Sequence, residues 1–237
     1  NYSNTPDFDI ACKDYELFLD LIRSFGPEIH FLPASKTSLD SIYTHDPCIV
    51  TNSGAILCNM GKQQRSNEPD NIEKYLSSIG VPILGCIEGT GTLEGGDIIC
   101  YNNHLFVGES DIATTRAGTR WLDNYIGPFG YQVHPMPMKG AFLHLLGIMV
   151  LVREGLLLLH RDDLDCELPE VLADWEVIEL TEDEAKAYAT VGVSLDDSRY
   201  IMPSGLGRIA DELSRRGVEP IEIDYDHVSY WGGCVSC

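Results

Sequence analysis

The sequence predicts an α/β protein of repeated strand–strand–helix–strand units, arranged as a five-bladed, pseudo-symmetric α/β propeller. Two short apolar segments joined by a tight turn recur four times, and an amphipathic helical segment follows each pair. A further short apolar strand follows each helical segment. These last strands begin near Val81, Val133, Val177 and Val218, a spacing of about forty to fifty residues, which is typical of propellers and solenoids.

The first two units have clear turn and helix signals. In the first, Asn52-Ser53-Gly54 predicts a hairpin turn because Asn and Gly tolerate a positive φ. Its helix is predicted to begin at Asn67-Glu68-Pro69 and to end at Gly80, and VPILGCI supplies the next strand. In the second unit the turn is Asn102-Asn103, followed by the helical TTRAGTRWLDNYIGPFG and the strand YQVHPMPM.

The third and fourth units repeat the pattern. The third turns at Arg153-Glu154-Gly155 and continues with a predicted helix in ELPEVLADW and a strand in EVIEL. The fourth turns at Asp196-Asp197 and continues with the helix GLGRIADELSRRG and the strand VEPIEID.

Neither end of the chain completes a unit alone. The amino-terminal part offers a helix, DYELFLDLIRSFG, and a strand, EIHFLP, whereas the carboxyl-terminal part offers the strand-like GGCVSC. Joined, they make most of a fifth unit, and a closed ring leaves no exposed sheet edge. An open α/β sheet is the alternative, but hairpin turns stand where crossover helices would be expected.

Composition excludes several functions. The chain has 16 Lys and Arg against 37 Asp and Glu, a net charge of −21 at pH 7, so we expect no nucleic-acid partner. The longest apolar stretch, Ala141–Val152, is too short to span a membrane, and the first residues do not resemble a signal peptide. We therefore expect a cytoplasmic protein without a membrane partner, whose eight cysteines need not form disulfides.

Polar residues at inner strand ends would converge on the channel of such a ring, its natural pocket. The candidates, drawn from different units, are His45, Asp46, Glu94, Asp97, His144 and Cys237. Each has a simpler interpretation too. Asp46 precedes Pro47 and could be only a turn residue. His144 lies in a predicted apolar strand and could be only a core residue.

The final segment, SYWGGCVSC, leaves three interpretations open: a redox Cys-x-x-Cys, half of a zinc site, or one nucleophile with an incidental neighbour. A redox motif usually opens a helix, and none is predicted here. Zinc would require a second closely spaced Cys/His pair. A cysteine with a remote histidine is a known nucleophilic pairing, and two carboxylates can hold a guanidinium. The combination suits attack on a guanidinium carbon.

The segments GTLEGGD (Gly91–Asp97), GYQVHPMPMKGAFLHL (Gly130–Leu145) and the closing GGCVSC resemble the guanidine-modifying enzymes of the pentein superfamily. The closest resemblance is to the dimethylarginine dimethylaminohydrolases, and it covers nearly the whole chain. It implies a five-bladed α/β propeller and one catalytic domain over residues 1–237. It also implies a cysteine hydrolase that converts N-methylated arginine to citrulline and methylamine or dimethylamine, without metal or organic cofactor.

The resemblance further implies a role for each site residue. These roles are nucleophile for Cys237, general acid and base for His144, a guanidinium-binding carboxylate for Glu94, substrate binding for Asp46 and Asp97, and binding of the substrate α-carboxylate for Arg65. The mechanism implied is two-stage hydrolysis through a covalent intermediate on Cys237. Cys234 has no counterpart among the family's site residues.

The chain departs from the family pattern at several positions. Ala113 or Thr114 stands near the place where the family usually has a second carboxylate-binding arginine, and the nearby Arg116 is displaced from that place. Leu146 stands where arginine deiminases commonly have an acidic residue. The usual Asn of the fourth unit is replaced near Thr190. The alternatives are therefore an arginine deiminase, a dihydrolase, an amidinotransferase, or a propeller that has lost catalysis and binds a ligand. The sequence does not determine the oligomeric state, and a homodimer is compatible with it.

Overall fold

The structure, a computed structural model, describes residues 6–33, 39–140 and 142–237, without the side chains of Leu39 and Trp231. Its α-helices are α1 (Phe8–Ser24), α2 (Glu68–Ser78), α3 (Arg116–Ile126), α4 (Glu182–Lys186) and α5 (Gly207–Arg215). Its strands are β1 (Cys48–Thr51), β2 (Gly54–Leu57), β3 (Ile83–Cys86), β4 (Ile98–Tyr101), β5 (His104–Glu109), β6 (Gln132–Pro137), β7 (Met149–Arg153), β8 (Leu156–Leu159), β9 (Glu176–Glu179), β10 (Val193–Asp196), β11 (Arg199–Pro203) and β12 (Glu219–Ile223).

The described residues form four three-stranded sheets, and in each sheet the strands follow their order in the sequence. The strand orders are β1-β2-β3, β4-β5-β6, β7-β8-β9 and β10-β11-β12. In every sheet the third strand pairs parallel with the middle strand. The first two strands are antiparallel in the β1–β2, β4–β5 and β10–β11 hairpins. The predicted mixed α/β fold with a repeated unit is thus confirmed.

The chain divides into two compact units, which we name by their positions in the sequence. The mid-chain unit comprises Leu32–Met149 and His160–Asp174, and the terminal unit comprises Asn1–Phe31, Val150–Leu159 and Trp175–Cys237. The prediction of one catalytic domain over residues 1–237 stays a prediction.

Each unit has its own apolar core. In the mid-chain unit, Leu122 and Ile126 of α3 are buried against the sheet residues Leu105 and Val107. The corresponding core of the terminal unit buries residues of β8, β11 and α5, among them Leu158, Tyr200, Ile209 and Leu213. Burial of one such leucine or isoleucine contributes about 1.5–3 kcal/mol. The amphipathic helices therefore pack where their periodicity predicts.

The terminal unit brings together the first and last described segments of the chain. Phe18 of α1 packs edge-on against Tyr225, with ring centroids 5.6 Å apart. The backbone N–H of Asp7 donates a hydrogen bond to His227 Nδ1 at 3.0 Å. Phe18 and Tyr225 belong to an apolar cluster that also buries Cys234. The amino-terminal helix is thus held by side chains from the last fifteen residues.

Three predicted elements are absent from the described residues. EIHFLP (28–33) forms no strand, and the GGCVSC segment ends in a turn closed by a hydrogen bond from Cys237 N to Cys234 O at 3.0 Å. The third-unit helix is only a short 3₁₀ turn, Glu170–Leu172. Pro169, in extended conformation, interrupts the predicted segment, and β9 begins at Glu176. Too few residues remain between them to offset the cost of helix nucleation.

No helix in the described ranges is both long enough and apolar enough to cross a membrane. The eight cysteines, all within those ranges, are free thiols.

Candidate active site

Five of the six residues to which the resemblance assigns a role lie in the mid-chain unit. Asp46 stands two residues before β1, and His144 stands five residues before β7. Glu94 and Asp97 stand four residues and one residue before β4. Arg65 lies in a 3₁₀ turn before α2. Four of the five thus occupy corresponding places, just before the first strand of a sheet. His144 lies in a loop, not inside a strand, so the expectation of a strand position was wrong.

Glu94 and His144 form the centre of the site. His144 Nε2 and Glu94 Oε2 are 2.9 Å apart and hydrogen-bonded. Glu94 Oε1 accepts a hydrogen bond from the backbone N–H of Gly61 at 2.8 Å. Burial by itself raises the pKa of Glu94, but the His144 hydrogen bond and charge outweigh it and lower this pKa. Glu94 is therefore a fixed, buried carboxylate that holds one nitrogen of the imidazole.

Asp46 lies at the other nitrogen of the same ring. Its Oδ1 is 3.8 Å from His144 Nδ1, and its Oδ2 accepts a hydrogen bond from Arg65 Nη1 at 2.7 Å. Burial lowers the pKa of His144, but the Glu94 hydrogen bond and the charges of Asp46, Asp97 and Glu94 raise it to about 9. His144 is thus an imidazolium at neutral pH, the form that can donate a proton.

Two glycines allow this close arrangement. A Cβ on Gly96 would lie 2.6 Å from His144 Nδ1 and 2.8 Å from Asp46 Oδ1. A Cβ on Gly95 would lie 2.0 Å from the backbone oxygen of His45. Side-chain atoms do not tolerate such distances, so the Gly-Gly step brings the turn before β4 against both other site loops.

Asp97 is fully buried and contacts the backbone beside His144. Its Oδ1 accepts a hydrogen bond from the N–H of Leu145 at 2.8 Å. Its Oδ2 has no hydrogen-bond partner among the described residues. Burial raises the pKa of Asp97 to about 7. These contacts favour a role in positioning the His144 loop over the predicted direct contact with substrate.

Arg65 is buried, with only 2% of its surface exposed. Besides Asp46, it donates hydrogen bonds from Nε and Nη2 to Glu68. Burial lowers its pKa, but the Glu68 and Asp46 interactions outweigh this and raise it. Its predicted role, binding a substrate α-carboxylate, stays a prediction. The contacts described here favour a role in holding Asp46.

Thr114 and Arg116, two positions at which the chain departs from the family pattern, both contact acidic residues in the structure. Thr114 is buried, and its hydroxyl accepts a hydrogen bond from the N–H of Glu94 at 3.1 Å. Thr114 therefore holds the backbone of Glu94, whereas the arginine of the family pattern would offer a cation to a substrate carboxylate. The Arg116 side chain is 68% exposed and lies 3.7 Å from Glu109.

Cys237 lies in the terminal unit, on the turn that follows two glycines of positive φ, Gly232 and Gly233. Its Sγ accepts a hydrogen bond from the N–H of Cys234 at 3.5 Å. Cys234 is buried, and burial raises the pKa of its thiol to about 12, so it is a neutral thiol. Cys237 is more exposed than Cys234. Of the two thiols, Cys237 is therefore the better candidate for a reactive group.

Asp46, Glu94 and His144 also place one ligand-type atom each within 4.8 Å of one another. Two carboxylates and an imidazole could hold a divalent metal ion. The same atoms already bond to each other and to Arg65, as expected of a proton-transfer cluster.

One residue of the cluster was missed by sequence reasoning. Glu68 was interpreted only as the start of α2, yet its carboxylate binds Arg65 inside the protein. The spacing Arg65-x-x-Glu68 was the available signal, because residues three apart in helical backbone lie on one side.

No protein-family model matches the chain. The chain is 27% identical over 237 residues to the N(G),N(G)-dimethylarginine dimethylaminohydrolase of Pseudomonas aeruginosa, covering 98% of this chain and 88% of the relative. It is 24% identical over 233 residues to the protein of the same name from Streptomyces coelicolor, covering 98% and 85%.

A solved structure of the Pseudomonas aeruginosa protein, a cysteine-to-serine variant complexed with citrulline, matches with a TM-score of 0.83 at 25% identity, covering 96% of this chain and 86% of that one. These relatives confirm the resemblance, identified from the sequence, to the dimethylarginine dimethylaminohydrolases of the guanidine-modifying pentein superfamily.

Proposed function

We propose that this protein is a cysteine hydrolase of N-methylated arginine, which it converts to citrulline and methylamine or dimethylamine. The observation that carries the proposal is the buried cluster in which His144 is hydrogen-bonded to Glu94 and flanked by Asp46. This cluster supplies a positioned proton donor beside carboxylates of the kind that bind a guanidinium. The relatives named dimethylarginine dimethylaminohydrolase support this substrate class.

The first stage of the proposed reaction forms a covalent intermediate. The Cys237 sulfur attacks the guanidinium carbon, and a new C–S bond forms. The C–N bond to the methylated nitrogen then breaks, and its electron pair leaves with the amine. His144 donates the proton that the departing amine requires.

The second stage returns the enzyme to its starting form. His144, now neutral, accepts a proton from water, and the resulting hydroxide attacks the same carbon. The C–S bond breaks, and its electron pair returns to the Cys237 sulfur as a thiolate. The hydroxyl proton passes to solvent as the urea carbonyl forms, and citrulline is released. One water is consumed for each amine released, and nothing is oxidised or reduced.

The substrate guanidinium is assigned to Glu94 and Asp46. Both are buried carboxylates near His144, and a guanidinium offers them paired charged hydrogen bonds. Asp97 and Arg65 are assigned to supporting this arrangement, because Asp97 holds the backbone that follows His144 and Arg65 holds Asp46.

We further infer that the four repeats and the joined chain ends form a five-bladed propeller, as one catalytic domain over residues 1–237. The packing of α1 on Tyr225 supports the joining of the ends. The proposed mechanism requires Cys237 and His144 to act on the same substrate guanidinium. A cytoplasmic location and a homodimer stay predictions, to be tested by cell fractionation and sedimentation.

Replacement of the two carboxyl-terminal cysteines tests the mechanism. We expect Cys237→Ser to lower citrulline release from dimethylarginine at least about a thousandfold, because the thiolate is the attacking group. The matched control, Cys234→Ser, changes a buried neutral thiol three residues away and should retain turnover. The assay is colorimetric citrulline release, with the amine product identified by mass spectrometry.

The same assay separates the alternatives when arginine, monomethylarginine and dimethylarginine are compared. Ammonia released from arginine would indicate a deiminase or dihydrolase. Failure of all three substrates would favour a binding protein. Loss of activity in Cys234→Ser with retention in Cys237→Ser would overturn the assignment of the nucleophile.

A further inference from the structure

Glu68 is a buried acid without an assigned role. It is the first residue of α2, and only 4% of its surface is exposed. A carboxylate at such a depth loses its hydration, so it is retained only where a paired cation compensates. The cation at Glu68 is Arg65, three residues earlier.

The contact between these two side chains fixes the plane of the guanidinium. Arg65 Nε lies 3.1 and 3.0 Å from the two carboxylate oxygens of Glu68. Arg65 Nη2 lies 2.8 Å from Glu68 Oε2 and also donates to the backbone oxygen of Tyr43 at 3.2 Å. One edge of the guanidinium is therefore held by a fork of hydrogen bonds, a geometry that limits its rotation.

The remaining nitrogen of Arg65 points to the acids around His144. Nη1 is 2.7 Å from Asp46 Oδ2 and 3.9 Å from Glu94 Oε2. Because Nη1 holds Oδ2 of Asp46, the other oxygen, Oδ1, is left on the side of His144 Nδ1. The orientation of Asp46 thus depends on Arg65, and that of Arg65 depends on Glu68.

Charge balance gives Glu68 a second effect. Glu68, Asp46 and Glu94 face the two cations Arg65 and His144, so the group carries one excess negative charge when Asp97 is neutral. A guanidinium substrate would bring this balance to zero. Without the Glu68 charge these side chains would be neutral before the substrate binds, which weakens their attraction for both the guanidinium and the imidazolium proton.

We propose that Glu68 is a positioning residue of this site, which holds the Arg65 guanidinium so that it orients the Asp46 carboxylate beside His144. This proposal rests on the proposed function for its kinetic consequences only. Its effect on His144 is measurable without turnover.

The test compares Glu68→Gln and Glu68→Asp with a matched control, Asp70→Asn. Asp70 is an exposed acid in the first turn of the same helix, so its replacement removes the same charge without touching Arg65. The measurements are kcat and KM against pH for the best methylarginine substrate, the pKa of His144 by NMR, and the thermal unfolding midpoint.

We expect Glu68→Gln to lower kcat about ten- to a hundredfold with a smaller change in KM, since a displaced acid–base group costs this much. The pKa of His144 should fall, and the alkaline limb of the kcat profile should move to lower pH. Glu68→Asp should restore part of both effects, and Asp70→Asn should match the wild type.

A lower unfolding midpoint with an unchanged His144 pKa and unchanged kcat would show that Glu68 is only structural, and would overturn the proposal. If Glu68→Gln does not fold, the same comparison in Glu68→Asp decides. If the wild type turns over no methylarginine, the proposed function fails, while the NMR titration still decides the role of Glu68.

Discussion

Asp97 combines complete burial with a hydrogen bond to the backbone that follows His144. Its pKa, which burial raises from 3.8 to about 7, means that the acid is partly protonated near neutral pH. Because the folded pKa lies above the unfolded one, this group stabilises the fold fully below about pH 4. That contribution is lost as the pH rises through 7.

The free energy of unfolding of Asp97→Asn, compared with that of the wild type, should therefore rise between pH 4 and pH 8 by an amount on the order of 3 kcal/mol. The amide retains an acceptor for Leu145 N–H but cannot ionise. Urea unfolding at pH 4, 6 and 8 measures the effect. The control, Asp123→Asn, changes an exposed acid of α3. An Asp97→Asn difference that stays constant with pH would contradict the assignment.

At the level of single residues, part of the site could be predicted from the sequence. Asp46, Glu94 and His144 were named as candidates from their residue types and local sequence, and the structure brings them together. Their separation along the chain could not be bridged by local rules, so the pairing depended on the family resemblance. Glu68 was missed because its partner, Arg65, was assigned to the substrate, which left the acid without an apparent use.

Among the elements, the 3₁₀ turn Gly95–Asp97 carries the closest contacts of the site. We expect Gly96→Ala to lower turnover of methylarginine about a hundredfold, because the added methyl group displaces the imidazole and the Asp46 carboxylate. Gly127→Ala is the matched control, since its Cβ meets no atom within 4 Å. Steady-state kinetics measure the effect. Wild-type turnover in Gly96→Ala would contradict the described packing of the loops.

Elements with strong local signals were predicted well. The β4–β5 turn has Asn102 at a φ of 52°, the left-handed conformation that Asn adopts readily. The helix α4 was missed, although Thr181 and Glu184 form a capping box at its start. It is only five residues long, so it shows too little periodicity to be recognised. The third-unit helix failed for the opposite reason, since a helical pattern was present but Pro169 and the start of β9 at Glu176 leave too few residues for a helix.

For the whole molecule, the net charge of −21 has a measurable effect on stability. Repulsion among exposed acids opposes the compact state, and salt screens it as the Debye length falls from about 30 Å at 0.01 M to about 8 Å at 0.15 M. We expect the urea midpoint at pH 7 to rise between these NaCl concentrations. Choline chloride should act alike, which distinguishes screening from sodium binding. A midpoint that falls with both salts would contradict this expectation.

The docking of α1 on Tyr225 and its neighbours also constrains how the chain folds during its synthesis. All residues of the mid-chain unit have been made by Asp174, so this unit can fold while the ribosome is still adding residues. The helix α1 is translated before the mid-chain unit but finds its binding surface only after residues 223–237 have been made. It therefore reaches its native contacts only after the whole mid-chain unit has been synthesised, although it precedes that unit in the sequence.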